Sequence, residues 1–300
     1  MKSFYFGAIL VSVSALGYGI MPVFAKFAYK GGINTTTLLL IRFGLAALLF
    51  FSYLLIRYRK ISISLKQVGV LFILGGICYT GQSFLYFSAV KHIPGSLATL
   101  LVYVAPVLVA VFSFFIDKER ITLKVILPIA VAFTGLVIVC KDSIGKVDFR
   151  GIIMALGAAL VYAFYVILSN RVVKQLPAVM SSAFITFFTA VALLSGGTAS
   201  GSVSLDFKPV TWVYIAALVM ISTVLALAAF LAGLDRLGST KASILSMLEP
   251  VFAVIFSVAF LAEKLTVYQL FGGMIVITGA FMVIRPQKTD KKSTNGKELN

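Results

Sequence analysis

The residues best placed to do chemistry are a carboxylate and a proline side by side, in Ser246-Met247-Leu248-Glu249-Pro250-Val251-Phe252. They sit inside an apolar run from about Lys241 to Leu261. At ~1.5 Å rise per residue Glu249 lies roughly 12 Å into that run, near the middle of a ~30 Å hydrocarbon layer if the run spans one. An ionised carboxylate there costs at least ~2.5–3.5 kcal/mol. Glu249 must therefore face a wet cavity or a cation, or stay protonated and hydrogen-bonded between helices. Pro250 removes a backbone donor and crowds the carbonyl of Ser246, adding polarity that lipid cannot satisfy.

The cations that could answer Glu249 are Lys26, Arg42, Lys241 and His92. Lys26 ends the first apolar run, where it can snorkel. Arg42 lies deep in the second run, either facing Glu249 or bonded to helix-end carbonyls. Glu119 and Glu263 have cations beside them at run ends, which suits capping or anchoring. Lys26, Arg42, Glu119 and Glu263 are thus candidates for charge coupling or for structure. A polar aromatic set, Tyr18, Tyr79, Gln82, Tyr86, Tyr103 and Tyr162, falls within the runs. Tyr79, Gln82 and Tyr86 share one helical face at i, i+3 and i+7. With Glu249 they could bind a substrate; bonding between helices is the structural alternative. Pro22, Pro106 and Pro250 are candidate hinges.

The whole chain must position these groups inside an apolar medium. Of its 300 residues 60% are hydrophobic and 12% charged, with a mean hydropathy of +1.06, which excludes an ordinary soluble domain. The net charge of +16 is dispersed among short gaps rather than gathered in a basic domain, so nucleic acid is not an expected partner. Cys78 and Cys140 lie apart in apolar runs, and there is one histidine, no nucleophile elbow and no phosphate loop. Neither an enzyme, a metal nor a cofactor is expected.

Ten apolar runs near twenty residues long are expected to cross the membrane: 4–29, 35–56, 67–90, 97–116, 123–140, 150–169, 178–197, 209–232, 241–261 and 267–284. With the N-terminus inside, the cytoplasmic gaps carry about twice as many Lys and Arg as the outer ones, which places both termini in the cytoplasm. Residues 285–300 form a polar tail. Sliding the chain by 144 residues superposes Gly7 on Gly151, Tyr18 on Tyr162, Pro106 on Pro250, Glu119 on Glu263 and Thr134-Gly135 on Thr278-Gly279 without a gap. Each half then holds five spans. Because five is odd, the second half enters from the opposite side, and inverted repeats of this kind place a substrate near the midplane between them.

These residues resemble a known family. Leu16-Gly17-Tyr18-Gly19 followed by Lys26 is similar to the first-helix Trp-Gly…Lys pattern of the EamA domain of the drug/metabolite transporter superfamily, with Tyr18 where tryptophan is usual. Arg42-Phe43 resembles its second-helix Arg-Phe. Leu248-Glu249-Pro250-Val251-Phe252-Ala253 with Glu263-Lys264-Leu265-Thr266 resembles its ninth-helix signature, repeated in the first half as Ala105-Pro106-Val107-Leu108 and Glu119-Arg120-Ile121-Thr122. The resemblance implies an all-α integral membrane fold of ten transmembrane helices, two inverted five-helix repeats (4–140 and 150–284) around a central cavity. It also implies a secondary transporter that exports a small metabolite, an amino acid or related polar or zwitterionic solute, across the cytoplasmic membrane by alternating access. Organic cations or drugs are the alternative cargo, and an integral-membrane enzyme or receptor is the alternative from another class. The expected partners are that small molecule, the lipid bilayer and protons as a candidate coupling ion, in a monomer or homodimer.

Overall fold

The computed structural model describes residues 2–57, 63–89, 92–93, 98, 101–116, 118, 122–139, 148–261 and 266–284. Among the described residues every regular element is helical. In chain order these are α1 (Lys2–Gly19), α2 (Met21–Lys30), α3 (Thr35–Arg57), α4 (Leu65–Phe72), α5 (Thr80–Ala89), α6 (Ala105–Ile116), α7 (Leu123–Val139), α8 (Phe149–Val173), α9 (Ala178–Ala199), α10 (Thr211–Val219), α11 (Ala226–Leu237), α12 (Ser239–Ser246), α13 (Glu249–Leu261) and α14 (Val267–Ile284). Wide π-helical stretches, Ile73–Tyr79 and Met220–Leu225, join α4 to α5 and α10 to α11.

Helices are forced by the medium, because in lipid each backbone N–H and C=O needs a partner within its own segment. Hydroxyls follow the same rule: Thr186, Ser195, Thr198 and Thr278 each donate to the carbonyl four residues back, at 2.7–2.9 Å. Among the described residues seven helical stretches are long and apolar enough to cross a membrane, Ser3–Lys30, Thr35–Arg57, Leu65–Tyr86, Phe149–Val173, Ala178–Ala199, Thr211–Leu237 and Ser239–Leu261. Three shorter apolar helices accompany them, Ala105–Ile116, Val125–Ile138 and Leu270–Val283. Their outer faces stay apolar: Leu55, Ile56, Phe84 and Phe115 are more than 70% exposed, which a water-facing surface rarely tolerates in such numbers. The chain is a multi-pass membrane protein.

Four helix pairs make the main contacts: α1 with α11, α5 with α8, α3 with α9, and α7 with α14. Glycines let two kinds of these pairs approach closely. A Cβ on Gly7 would lie 2.8 Å from the Arg236 Cβ and 3.1 Å from the Leu237 Cγ; one on Gly151 would meet Ile93 at 2.8 Å and His92 at 3.0 Å. A Cβ on Gly135 would press on the Gly272 carbonyl and Val276, and one on Gly279 on the Pro128 carbonyl and Ala132. Each second contact is the first with 144 added to one partner and subtracted from the other.

Candidate functional site

Pro250 opens a helix rather than bending one. The N–H of Met247 reaches only to the carbonyl of Ile244 and that of Leu248 to Leu245, both at 3.1 Å, so α12 closes in a tight turn and α13 starts at Glu249. A proline in the first turn of a helix needs no donor, so the break removes the clash that a continuous helix would carry. The span is two half-helices rather than one bent helix. Glu249 accordingly occupies the first turn of α13, the positive end of its dipole, which favours a carboxylate. Pro106 does the same for α6, with Val104 N–H bonded to the Leu101 carbonyl at 3.2 Å. Pro22, in the first turn of α2, follows the break between α1 and α2. This break packs against the one before Glu249: a Cβ on Gly19 would lie 2.6 Å from the Phe252 Cβ and 3.0 Å from the Glu249 carbonyl oxygen.

Between these breaks lies a cavity of about 230 Å³. Its wall takes Tyr18 from α1, Met21 and Pro22 from α2, and Leu39, Arg42 and Phe43 from α3. Tyr79, Gln82, Ser83 and Tyr86 come from the π-helical stretch and α5, Val102 and Tyr103 from the turn before α6, Tyr162 and Tyr165 from α8, Phe230 from α11, and Glu249, Pro250 and Ala253 from α13. Every tyrosine named from the sequence, with Gln82 and Glu249, thus borders one space. The i, i+3, i+7 face of Tyr79, Gln82 and Tyr86 does point one way.

Tyr103 borders the cavity together with the Glu249 carboxylate, and of the four candidate cations Arg42 is the one that lines the same space. Arg42 is only 5% exposed. Its Nε donates to Thr223 Oγ1 at 2.6 Å, one terminal nitrogen to the Ser222 carbonyl at 2.7 Å, and the other to Met21 Sδ at 3.0 Å. Ser222 lies in the second π-helical stretch, where a widened turn frees carbonyls that a straight helix would use. Part of the wall is aromatic edge and face: Tyr79 meets Phe43 edge-on at 5.4 Å, and Tyr162 stacks on Tyr165 at 6.0 Å.

The remaining candidates fall elsewhere. Lys26 is exposed on α2 and Pro106 is buried at the start of α6, and neither lines the cavity. Lys241 lies over the Phe4 ring at 5.0 Å. His92 Nδ1 meets Asp148 Oδ2 at 3.0 Å, tying the chain after α5 to the N-cap of α8. The Arg150 backbone N–H, and after it His92, holds the Asp148 carboxyl below its ordinary range. Glu119 and Glu263 lie outside the described residues, as does Cys140. Sequence reasoning missed Tyr165, Phe43, Phe230 and Met21 as cavity residues. Two of these had a signal: Phe230 is Tyr86 shifted by 144, and Tyr165 is one turn beyond Tyr162.

The model of the EamA-like transporter family matches this chain twice, over residues 5–140 and 149–285. The chain belongs to the EamA-like transporter family. It therefore carries the EamA domain in two repeats, and the cavity takes residues from both. As an EamA-like protein it stands among transporters and not enzymes. It is 25% identical over 300 residues to the uncharacterized transporter YcbK of Bacillus subtilis (strain 168), covering 95% of each chain. To the threonine/homoserine exporter RhtA of Escherichia coli (strain K12) it is 24% identical over 291 residues, covering 95% of this chain and 93% of RhtA. A solved crystal structure, 19% identical, shares the fold with a TM-score of 0.77, covering 92% of this chain and 95% of that one.

Proposed function

We propose that this EamA-like protein is a secondary transporter that exports a small polar or zwitterionic metabolite, an amino acid or a relative of one, across the cytoplasmic membrane. The observation that carries this reading is Glu249: a carboxylate at a helix break that borders, with Tyr103, a cavity walled by both repeats. Structural carboxylates in a membrane interior are buried against a partner; one that borders an open space is available to a substrate ammonium group or to a proton. The cargo class is supported by the size of the cavity and by the name of RhtA, a threonine/homoserine exporter.

Seven long spans and three shorter apolar helices are read as ten crossings, five per repeat, with both termini cytoplasmic. The glycine contacts related by 144 residues support a two-fold relation between the repeats, and five crossings each makes them inverted. Transport then proceeds by the repeats rocking about the cavity, with the breaks at Pro22, Pro106 and Pro250 as flexure points. The ring of tyrosines around one carboxylate favours a second reading, an organic cation held by aromatic faces.

The test is solute counterflow in proteoliposomes of the purified protein. Exchange of labelled for unlabelled solute, lost in Glu249→Gln, supports the reading; exchange undiminished in that variant across pH 5–8 removes Glu249 from the site.

A further inference from the structure

Arg42 and Glu249 both border the cavity, and yet among the described residues no ion pair joins them. Two opposite charges buried in one space ordinarily close on each other, because leaving either unpaired in low dielectric is costly. Here each is instead held back. Arg42 is fixed on α3 by the Ser222 carbonyl, Thr223 Oγ1 and Met21 Sδ, with its plane over the Phe43 ring at 4.9 Å. Glu249 is held on α13 at the helix start, with Tyr103 on the same cavity wall.

A guanidinium has five N–H donors, of which these contacts take three, leaving one on each terminal nitrogen. That is the number a carboxylate accepts from an arginine bidentately. The cavity that both charges border, about 230 Å³, corresponds to ~8 water volumes at ~30 Å³ each, room for a solute of about that many heavy atoms or a few more.

From this geometry we infer that Arg42 is a specificity-determining residue of the transport site: it reads the carboxylate of a zwitterion whose ammonium group lies at Glu249. Resting on the transport reading above, the inference gives the cavity two poles, so that a solute carrying both charges closes the unfilled pair and a solute carrying one leaves the other pole bare. A site built to hydrogen-bond a group rejects the analogue that lacks it far more strongly than one that merely encloses it.

The experiment measures inhibition of binding or counterflow by matched solutes on the intact protein in liposomes: the L-amino acids, their decarboxylated amines and their deaminated acids. In wild type the amino acid that exchanges best is expected to outcompete both of its analogues by on the order of 10–100-fold, the range for a lost hydrogen bond to a charged group. Arg42→Gln, and separately Arg42→Lys, should erase most of the preference over the amine while keeping the preference over the deaminated acid; Glu249→Gln should do the reverse. An amine that competes as well as its amino acid in wild type overturns the inference, and this arm needs no variant to fold. Exchange of an amine or other non-zwitterion with none of the amino acids removes the two-pole site and leaves the carrier intact. No exchange of any solute in the panel removes both.

Discussion

The two halves of this transporter carry the same break and fill it differently. In the first, Leu101, Val104 and Leu108 make the turn and Ala105-Pro106 opens α6; in the second, Leu245, Leu248 and Phe252 make it and Glu249-Pro250 opens α13. The proline and the backbone pattern are duplicated, and the charge is not. Ala105 is 1% exposed among apolar neighbours, whereas Glu249 faces the cavity. The same asymmetry recurs at the two π-helical stretches. The Gly75 carbonyl of the first is met by hydroxyls, Thr80 at 2.9 Å and Thr189 at 3.0 Å, while the Ser222 carbonyl of the second is met by the Arg42 guanidinium. Even the first helix of each half differs: Lys2–Lys30 is broken before Pro22, and Phe149–Val173, with Val166 at the matching position, runs unbroken. What repeats is the backbone economy that a membrane demands; what diverges is the polarity around one off-centre site.

The sharpest way to break this comparison is to move the charge. Glu249→Ala should lower counterflow by on the order of 100-fold, the scale of a lost contact to a charged group. Adding Ala105→Glu to it should restore nothing, since the positions matching Tyr103 and Arg42 are Met247 and Thr186, which offer a carboxylate neither a phenol nor a guanidinium. Recovery in the double variant would mean that the halves are functionally interchangeable.

The next effect is on stability. Arg42→Met strips the Ser222 carbonyl and Thr223 of their partner and is expected to destabilise by about 3 kcal/mol, against about 1 kcal/mol for Thr189→Val at the other π-helical stretch. Thermal unfolding in detergent compares the two, and equal losses would show that the charged brace does no more than the neutral one.

Glycine pairs test the relation between the halves themselves. Gly7→Val and Gly151→Val each force a branched side chain into a matching contact, so both should destabilise by ~1–3 kcal/mol and by similar amounts. Gly44→Ala, where a Cβ meets nothing within 4 Å, should be neutral or slightly stabilising.

The smallest effect belongs to the Asp148 carboxyl, outside the spans. Its folded pKa is depressed by the Arg150 N–H and then by His92, so its contribution is present above the unfolded value, near pH ~3.9, and fades as pH falls through the folded one. Asp148→Asn should therefore melt slightly below wild type at pH 7, with the gap closing as the pH falls through the depressed folded pKa. A gap that persists in acid would assign the loss to the cap geometry rather than to the charge.

Much of the site was legible in the sequence because membrane burial makes polar residues conspicuous. Glu249, Arg42 and the tyrosines stand out in runs of Leu, Val and Phe for the same physical reason that they line a cavity: lipid offers them nothing. Phe43 and Met21 were illegible, since an apolar residue facing a cavity has the same sequence signature as one facing lipid or another helix. The π-helical stretches had no signal either; Ile73–Tyr79 and Met220–Leu225 read as ordinary apolar helix. His92 and Asp148, 56 residues apart, gave no sign of meeting.

By itself, then, the sequence determined the medium, the helices, the duplication and the family, because each is written in composition, in run length or in a fixed offset between like residues. Only the tertiary structure decided that Arg42 is the candidate cation bordering the cavity with Glu249, that Pro250 begins a helix instead of bending one, and that residues of both repeats enclose a single space. Those outcomes depend on how separate helices cross, and crossing is set by side-chain shape and close glycine contacts between residues far apart in the chain.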